Sequence, residues 1–239
     1  MPPHARRMSL DEVMAALQAA GTAQNVKIYR RHGATGPLFG VSFAVMGELA
    51  RQLGRDHGLA TALWETGNGD AMHLATMIAD PAAMTDAEAD RWLLGVRDYG
   101  AAGALSGVVG RSPVGRSRAE AWMQPAAEFT RTTGYDTLSV MLKLDAPLDA
   151  AWLTQVIATI EAEIGGSANR ARHAMNQTLI AMGGYRAELR ERVYAAAARI
   201  GRVEVDHGET GCVTPEIVPY IERMLARPTR SGAVRRSGR

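Results

Sequence analysis

Residues 40–81, GVSFAVMGELARQLGRDHGLATALWETGNGDAMHLATMIADP, constrain the fold more than any other stretch of this chain. Apolar residues recur at helical spacing in three separate runs: Val41, Val45, Leu49 and Leu53; then Leu59 and Leu63; then Met72, Ala75 and Met77-Ile78. The polar group Arg55-Asp56-His57-Gly58 separates the first run from the second, and no strand pattern intervenes. Each predicted helix is too short and too one-sided to bury its apolar stripe alone, so neighbouring helices must stack on it. The pattern predicts an all-α chain in which stacked helical pairs form a curved superhelix, a surface suited to a large partner.

Composition narrows the classes. No window approaches the roughly 18 uninterrupted apolar residues of a membrane span, so no membrane association is expected. The opening MPPHARRMSLDEV has two arginines but no apolar run behind them, and it does not read as a signal peptide. A single cysteine, Cys212, excludes an internal disulfide framework and fits a reducing, cytoplasmic setting. The net charge of +2 comes from the end of the chain: residues 226–239 carry five arginines and no acid, which leaves the other 225 residues at a formal −3. Any affinity of the body for nucleic acid must therefore come from how its charge is distributed.

Residues 1–225 are expected to form one helical domain, with 226–239 a basic, disordered tail. Ser9-Leu10-Asp11-Glu12 is a capping-box pattern that starts a helix to about residue 20, and a second helix spans 23–31. Gly33, Pro37 and Gly40 mark a loop. Thr85-Asp86-Ala87-Glu88 starts a helix running to about Tyr99. The glycine-rich run 100–110 is a poor helix by propensity, although packing can make it one. Further helices are expected over 116–132, 135–144, 149–164, 169–182, 187–200 and 215–225. Val203-Glu204-Val205 is too short a strand-like run to imply a sheet.

GVSF, the DH-x-LA-x-x-LWETGN run and LATMIADP resemble the N-terminal half of the AlkD-type DNA alkylation repair proteins. The likeness is dense over residues 40–92 and thinner beyond. It implies a HEAT-like helical-repeat solenoid, and the predicted pairs of about 35 to 45 residues fall in the HEAT range. It also implies a DNA partner and, in standard members, a glycosylase releasing N3- or N7-alkylated purines. Those members place a cleft tryptophan and a catalytic aspartate beyond a DRW motif, because a carboxylate stabilises positive charge developing on the sugar. Here Asp90-Arg91-Trp92 sets the register, Tyr99 falls at the tryptophan position and Gly103 at the aspartate position. Asn176-Gln177 replaces an asparagine and a second tryptophan, while Thr132 and Ile180 fall at positions of DNA-contacting arginines.

These departures predict a divergent branch that binds damaged or distorted DNA through phosphates, without the standard excision chemistry. The expected DNA-contacting residues are Tyr99, Arg131, Arg170, Arg172, His173 and Gln177. Arg170, Arg172 and His173 open a helix whose N-terminal amides already favour phosphate. Two alternatives remain open at this point. One is an active glycosylase using a displaced carboxylate, Asp98, against its plainer reading as a solvated helix-end residue. The other is a protein-interaction scaffold with no DNA role. No cofactor is expected. The loop Asp206-His207-Gly208-Glu209-Thr210-Gly211-Cys212 meets no zinc spacing, so no metal is expected and the loop reads as a structural pin. Trp64 reads as core, and His57 and His73 as structural histidines.

Overall fold

The computed structural model describes residues 8–226, and the expected basic tail, apart from Ala226, lies outside them. The described residues form thirteen α-helices: α1 (Leu10–Ala20), α2 (Ala23–Arg31), α3 (Phe43–Leu53), α4 (His57–Glu65), α5 (Gly69–Ile78), α6 (Asp86–Leu93), α7 (Tyr99–Val109), α8 (Gly115–Met123), α9 (Glu128–Lys143), α10 (Ala150–Glu163), α11 (Asn169–Tyr185), α12 (Arg190–Ile200) and α13 (Ile217–Ala226). Among the described residues there is no strand, so 203–205 is loop. None of the helices is long and apolar enough to cross a membrane.

The helices stack in two layers. Helices α3, α5, α7, α9, α11 and α13 pack in succession as the inner layer, and α6 on α8 and α10 on α12 belong to the outer layer. Pairs such as α4 with α5 and α8 with α9 join the layers, the arrangement of a HEAT-like solenoid. The core is divided. One buried cluster runs from Val13 to Trp122 and the other from Ala119 to Ile221. In the first, Trp64 and Trp92 stack at 4.7 Å, and the Trp64 indole N–H donates to the Trp92 carbonyl at 2.9 Å. Asp90 ties α6 to α8 by accepting from the Trp122 indole at 2.8 Å.

Local signals explain most helix starts. Ser9 and Glu12 close the expected capping box, and Ser42, Asp56, Asn68, Thr85 and Asp149 each cap the helix that follows. Three boundaries differ from expectation. The helix begun at Thr85 stops at Leu93, and Asp98 starts a new one by accepting from the Ala101 amide at 2.9 Å. The run expected over 116–132 breaks after Met123, where Pro125 cannot continue the ladder. Conversely, α9 continues through Gly134, because a Cβ there would meet the Met123 nitrogen at 2.6 Å; the bare glycine lets α8 approach that closely. In α3, Val45 is exposed and Met46 takes the core position, and in α5 Met77 is exposed while Ile78 is buried.

Asp70 fixes the entry to the inner layer. Its buried carboxylate accepts from the amides of Phe39, Gly40 and Val41 at 2.6, 3.0 and 2.9 Å. Gly40 is required there: its φ is +82°, and a Cβ would sit 2.4 Å from the Thr22 carbonyl oxygen.

Candidate nucleic-acid interface

The inner face between α7 and α11 collects most of the residues singled out from sequence. Arg170, at the start of α11, reaches past α9 and lays its guanidinium 4.2 Å over the Tyr99 ring at the start of α7. The Arg170 amide donates to Glu128 at 2.7 Å, which fixes the helix end, while its guanidinium has no carboxylate partner among the described residues. Burial pushes the Tyr99 hydroxyl up; Arg170 opposes that, and Cys212 and Asp98 reinforce it. His173 and Gln177 continue the Arg170 face one and two turns further along α11, with their Nε2 atoms 3.4 Å apart. His173 is not a cation: burial, His207 and Arg170 push it down to about 4, so its ring is neutral at physiological pH.

Arg172 is placed differently. It lies two residues from Arg170, about 200° round the helix. Its Nε is buried with no hydrogen-bond partner among the described residues. Arg131 is also committed elsewhere. Its guanidinium donates to the Pro125 and Gln124 carbonyls at 2.9 Å each and to Ser167 at 3.3 Å, and it pairs with Glu163 at 3.0 Å. It is a tether between the ends of α8 and α10, and it is not free to replace an arginine at Thr132. Thr132 and Ile180 are each only 3% exposed. Beyond α11, Arg186, Arg199 and Arg202 pair with Asp145, Glu161 and Glu204, and Arg190 donates to the Gly183 carbonyl.

Asp98 is half-buried, and both of its oxygens are engaged by backbone amides. One oxygen caps α7, and the other accepts from the Thr35 amide at 3.0 Å, holding the 33–40 loop against the start of that helix. Gly103, one turn into α7, opens on empty space: a Cβ there would have nothing within 4 Å. The face carries a carboxyl that sequence reasoning missed. Asp136 sits two residues from Gly134, which packs on α8, and therefore projects to the opposite, inner side of α9. It has no hydrogen-bond or ionic partner among the described residues, and burial pushes its carboxyl up to about 7. No motif marks it, since its behaviour comes from the surrounding helices.

The 201–216 loop is pinned to this face. Asn169 and Asp206 exchange two hydrogen bonds, at 2.7 and 2.8 Å, and His207 bonds Thr214 at 2.9 Å while its ring meets His173 edge-on at 5.4 Å. Asn176 donates to the Pro215 carbonyl at 3.0 Å. Cys212 is free and exposed. Among the described residues, no group of three or more His, Cys, Asp or Glu is arranged to hold a metal ion. His57 starts α4 and bonds Glu88 at 2.8 Å. Burial raises the Glu88 carboxyl, but hydrogen bonds from Thr61 and His57 outweigh it and hold the group low.

Comparison with known proteins matches this architecture to one family. The sequence pattern of the DNA alkylation repair enzyme family matches residues 13–199. An uncharacterised protein of Listeria innocua is 27% identical over 226 residues, covering 92% of this chain and 99% of its own length. An uncharacterised protein of Listeria monocytogenes is 26% identical over the same shares. A solved structure of a new family of proteins related to the HEAT-like repeat DNA glycosylases, with affinity for branched DNA structures, superposes with a TM-score of 0.83 at 27% identity. The match covers 91% of this chain and 94% of that one.

Proposed function

Because the chain belongs to the DNA alkylation repair enzyme family, we propose that it binds distorted DNA, branched DNA in particular, through its inner face and without the standard alkylpurine excision chemistry. The observation that carries this reading is the pairing of Arg170, whose guanidinium has no carboxylate partner among the described residues, with the empty position at Gly103. Glu128 already holds the amide end of α11, so the guanidinium of Arg170 is the group left to meet phosphate, and it does so without reading sequence, which suits recognition by shape. A glycine where standard members carry the catalytic carboxylate removes the group that would stabilise a developing oxocarbenium charge. The similar solved structure, from proteins with affinity for branched DNA, supports the choice of partner.

The test is an anisotropy titration of protein ending at Ala226, with duplex and three-way-junction DNA at two salt concentrations, beside an assay for alkylpurine release. The reading predicts salt-sensitive binding that favours the junction and no base release. Equal, weak binding to both DNAs would overturn it.

One observation favours a second reading, an active glycosylase with a displaced carboxyl. Asp136, its carboxyl pushed up to about 7 and without a partner among the described residues, has the character of a general acid. Asp98 does not, since both of its oxygens serve backbone amides. This reading predicts release of N3- or N7-alkylated purines that Asp136→Asn abolishes.

A further inference from the structure

A cavity of about 640 Å³ lies between α2, α3, α5, the 33–40 loop and the start of α7. Its wall is aromatic: Tyr29 and Phe43 meet edge-on at 6.1 Å, and Phe43 and His73 at 5.4 Å. Phe43 is 55% exposed, a large apolar ring left facing solvent. Polar groups stand among the lining residues, with exposed His32, Thr35 and Glu65 all contributing. Of the carboxylates nearby, Asp70 is buried and accepts from three backbone amides, and Asp98 accepts from one amide on each oxygen, so both are first of all supports of the loop. Tyr99 belongs to both sites. It lines the cavity and carries the Arg170 guanidinium over its ring.

We propose that this cavity receives a nucleobase left unpaired at a DNA branch, with its faces against Phe43 and Tyr99 and its edge against the polar rim. The inference rests on the DNA-binding reading above. Its volume falls in the range of small-ligand pockets and exceeds what one base needs. Aromatic rings accept any base by stacking, so the pocket selects for an unpaired base and not for a sequence. A base held there leaves its own phosphate near Tyr99, within the region that Arg170 serves. A paired base cannot enter without the cost of unpairing and unstacking, and a branch point has already met that cost. Preference for branched over continuous duplex follows from the cavity itself.

The test uses the full chain and a three-way junction carrying 2-aminopurine either at an unpaired branch position or within a paired arm. Anisotropy and 2-aminopurine emission are read in one titration. The expected result is a rise in anisotropy with both probes and an emission change with the branch probe alone. Phe43→Ala, a truncation at a half-exposed ring, and Ala34→Trp, which fills the cavity from the loop, should each cut the preference for junction over duplex about tenfold and erase the emission change. A rise in anisotropy without any emission change overturns the cavity proposal and leaves DNA binding standing. No rise in anisotropy overturns both.

Discussion

The two walls of the inner face are built from opposite materials. The wall around α3, α5 and the start of α7 is aromatic and held by backbone contacts: Tyr29, Phe43, His73 and Tyr99 rest on a loop that Asp70 and Asp98 pin by their amide hydrogen bonds. The wall on α9 and α11 is polar, and three of its members are electrostatically unsettled: Asp136 holds a proton near neutral pH, His173 refuses one, and the Arg170 guanidinium has no counter-ion among the described residues. Each wall has its own buried cluster behind it. An aromatic wall stacks bases and the Arg170 guanidinium binds phosphate, so their meeting at Tyr99 brings the two halves of nucleic-acid recognition to one edge.

The largest effect expected is on the aromatic wall. Asp70→Ala strands three amides near Gly40 and should cost about 4 kcal/mol of stability, read as a lower urea midpoint. A loss under about 1 kcal/mol would mean that the loop holds its shape without the carboxylate.

On the polar wall the sign reverses. The unfolded chain releases the Asp136 proton near its usual 3.8 and the folded chain near 7, so stability falls as pH rises across that window. Asp136→Asn should therefore stabilise the protein at pH 8 by about 2 kcal/mol, half the ceiling set by roughly 1.4 kcal/mol per unit because the group is partly exposed, and should change little at pH 4. His173 works in the other direction. Its folded value lies near 4, below the unfolded 6.5, so the stability it contributes is lost as pH falls through that interval. His173→Gln should flatten the acid limb of a melting-temperature profile against pH.

A smaller contrast separates two arginines. Arg131→Ala removes a tether with two carbonyl acceptors and should cost about 2 kcal/mol in thermal or urea melts, with little change in DNA affinity. Equal losses of stability and affinity would place Arg131 on the DNA-contacting surface after all.

Much of the helical framework was readable because its signals are local. The caps at Ser9 and Thr85 start their helices as their local patterns predict, and the apolar runs set the faces, while the caps at Ser42, Asp56 and Asn68 are visible only in the structure. The break at 94–98 was not readable, since Asp98 caps a glycine-rich helix that propensity disfavours and neighbouring helices support. Gly134 misled for the same reason: its role is to admit α8, a contact visible only in three dimensions. Among the site residues, Tyr99, Arg170, His173 and Gln177 share one face, whereas Arg131 and Arg172 looked equivalent in sequence and were separated by helix phase and partners. Asp136 and the aromatic cavity left no trace in the sequence. One owes its character to burial and the other to the convergence of four helices and a loop.

The most direct test compares Arg170→Ala with Arg172→Ala, single variants two residues apart on α11, in junction binding across a range of salt. The account predicts that Arg170→Ala weakens binding several-fold and lowers the salt slope by about one unit, while Arg172→Ala leaves both unchanged. Equal effects from the two variants, or none from Arg170→Ala, would contradict the claim that the face shared by Tyr99 and Arg170 grips the DNA backbone.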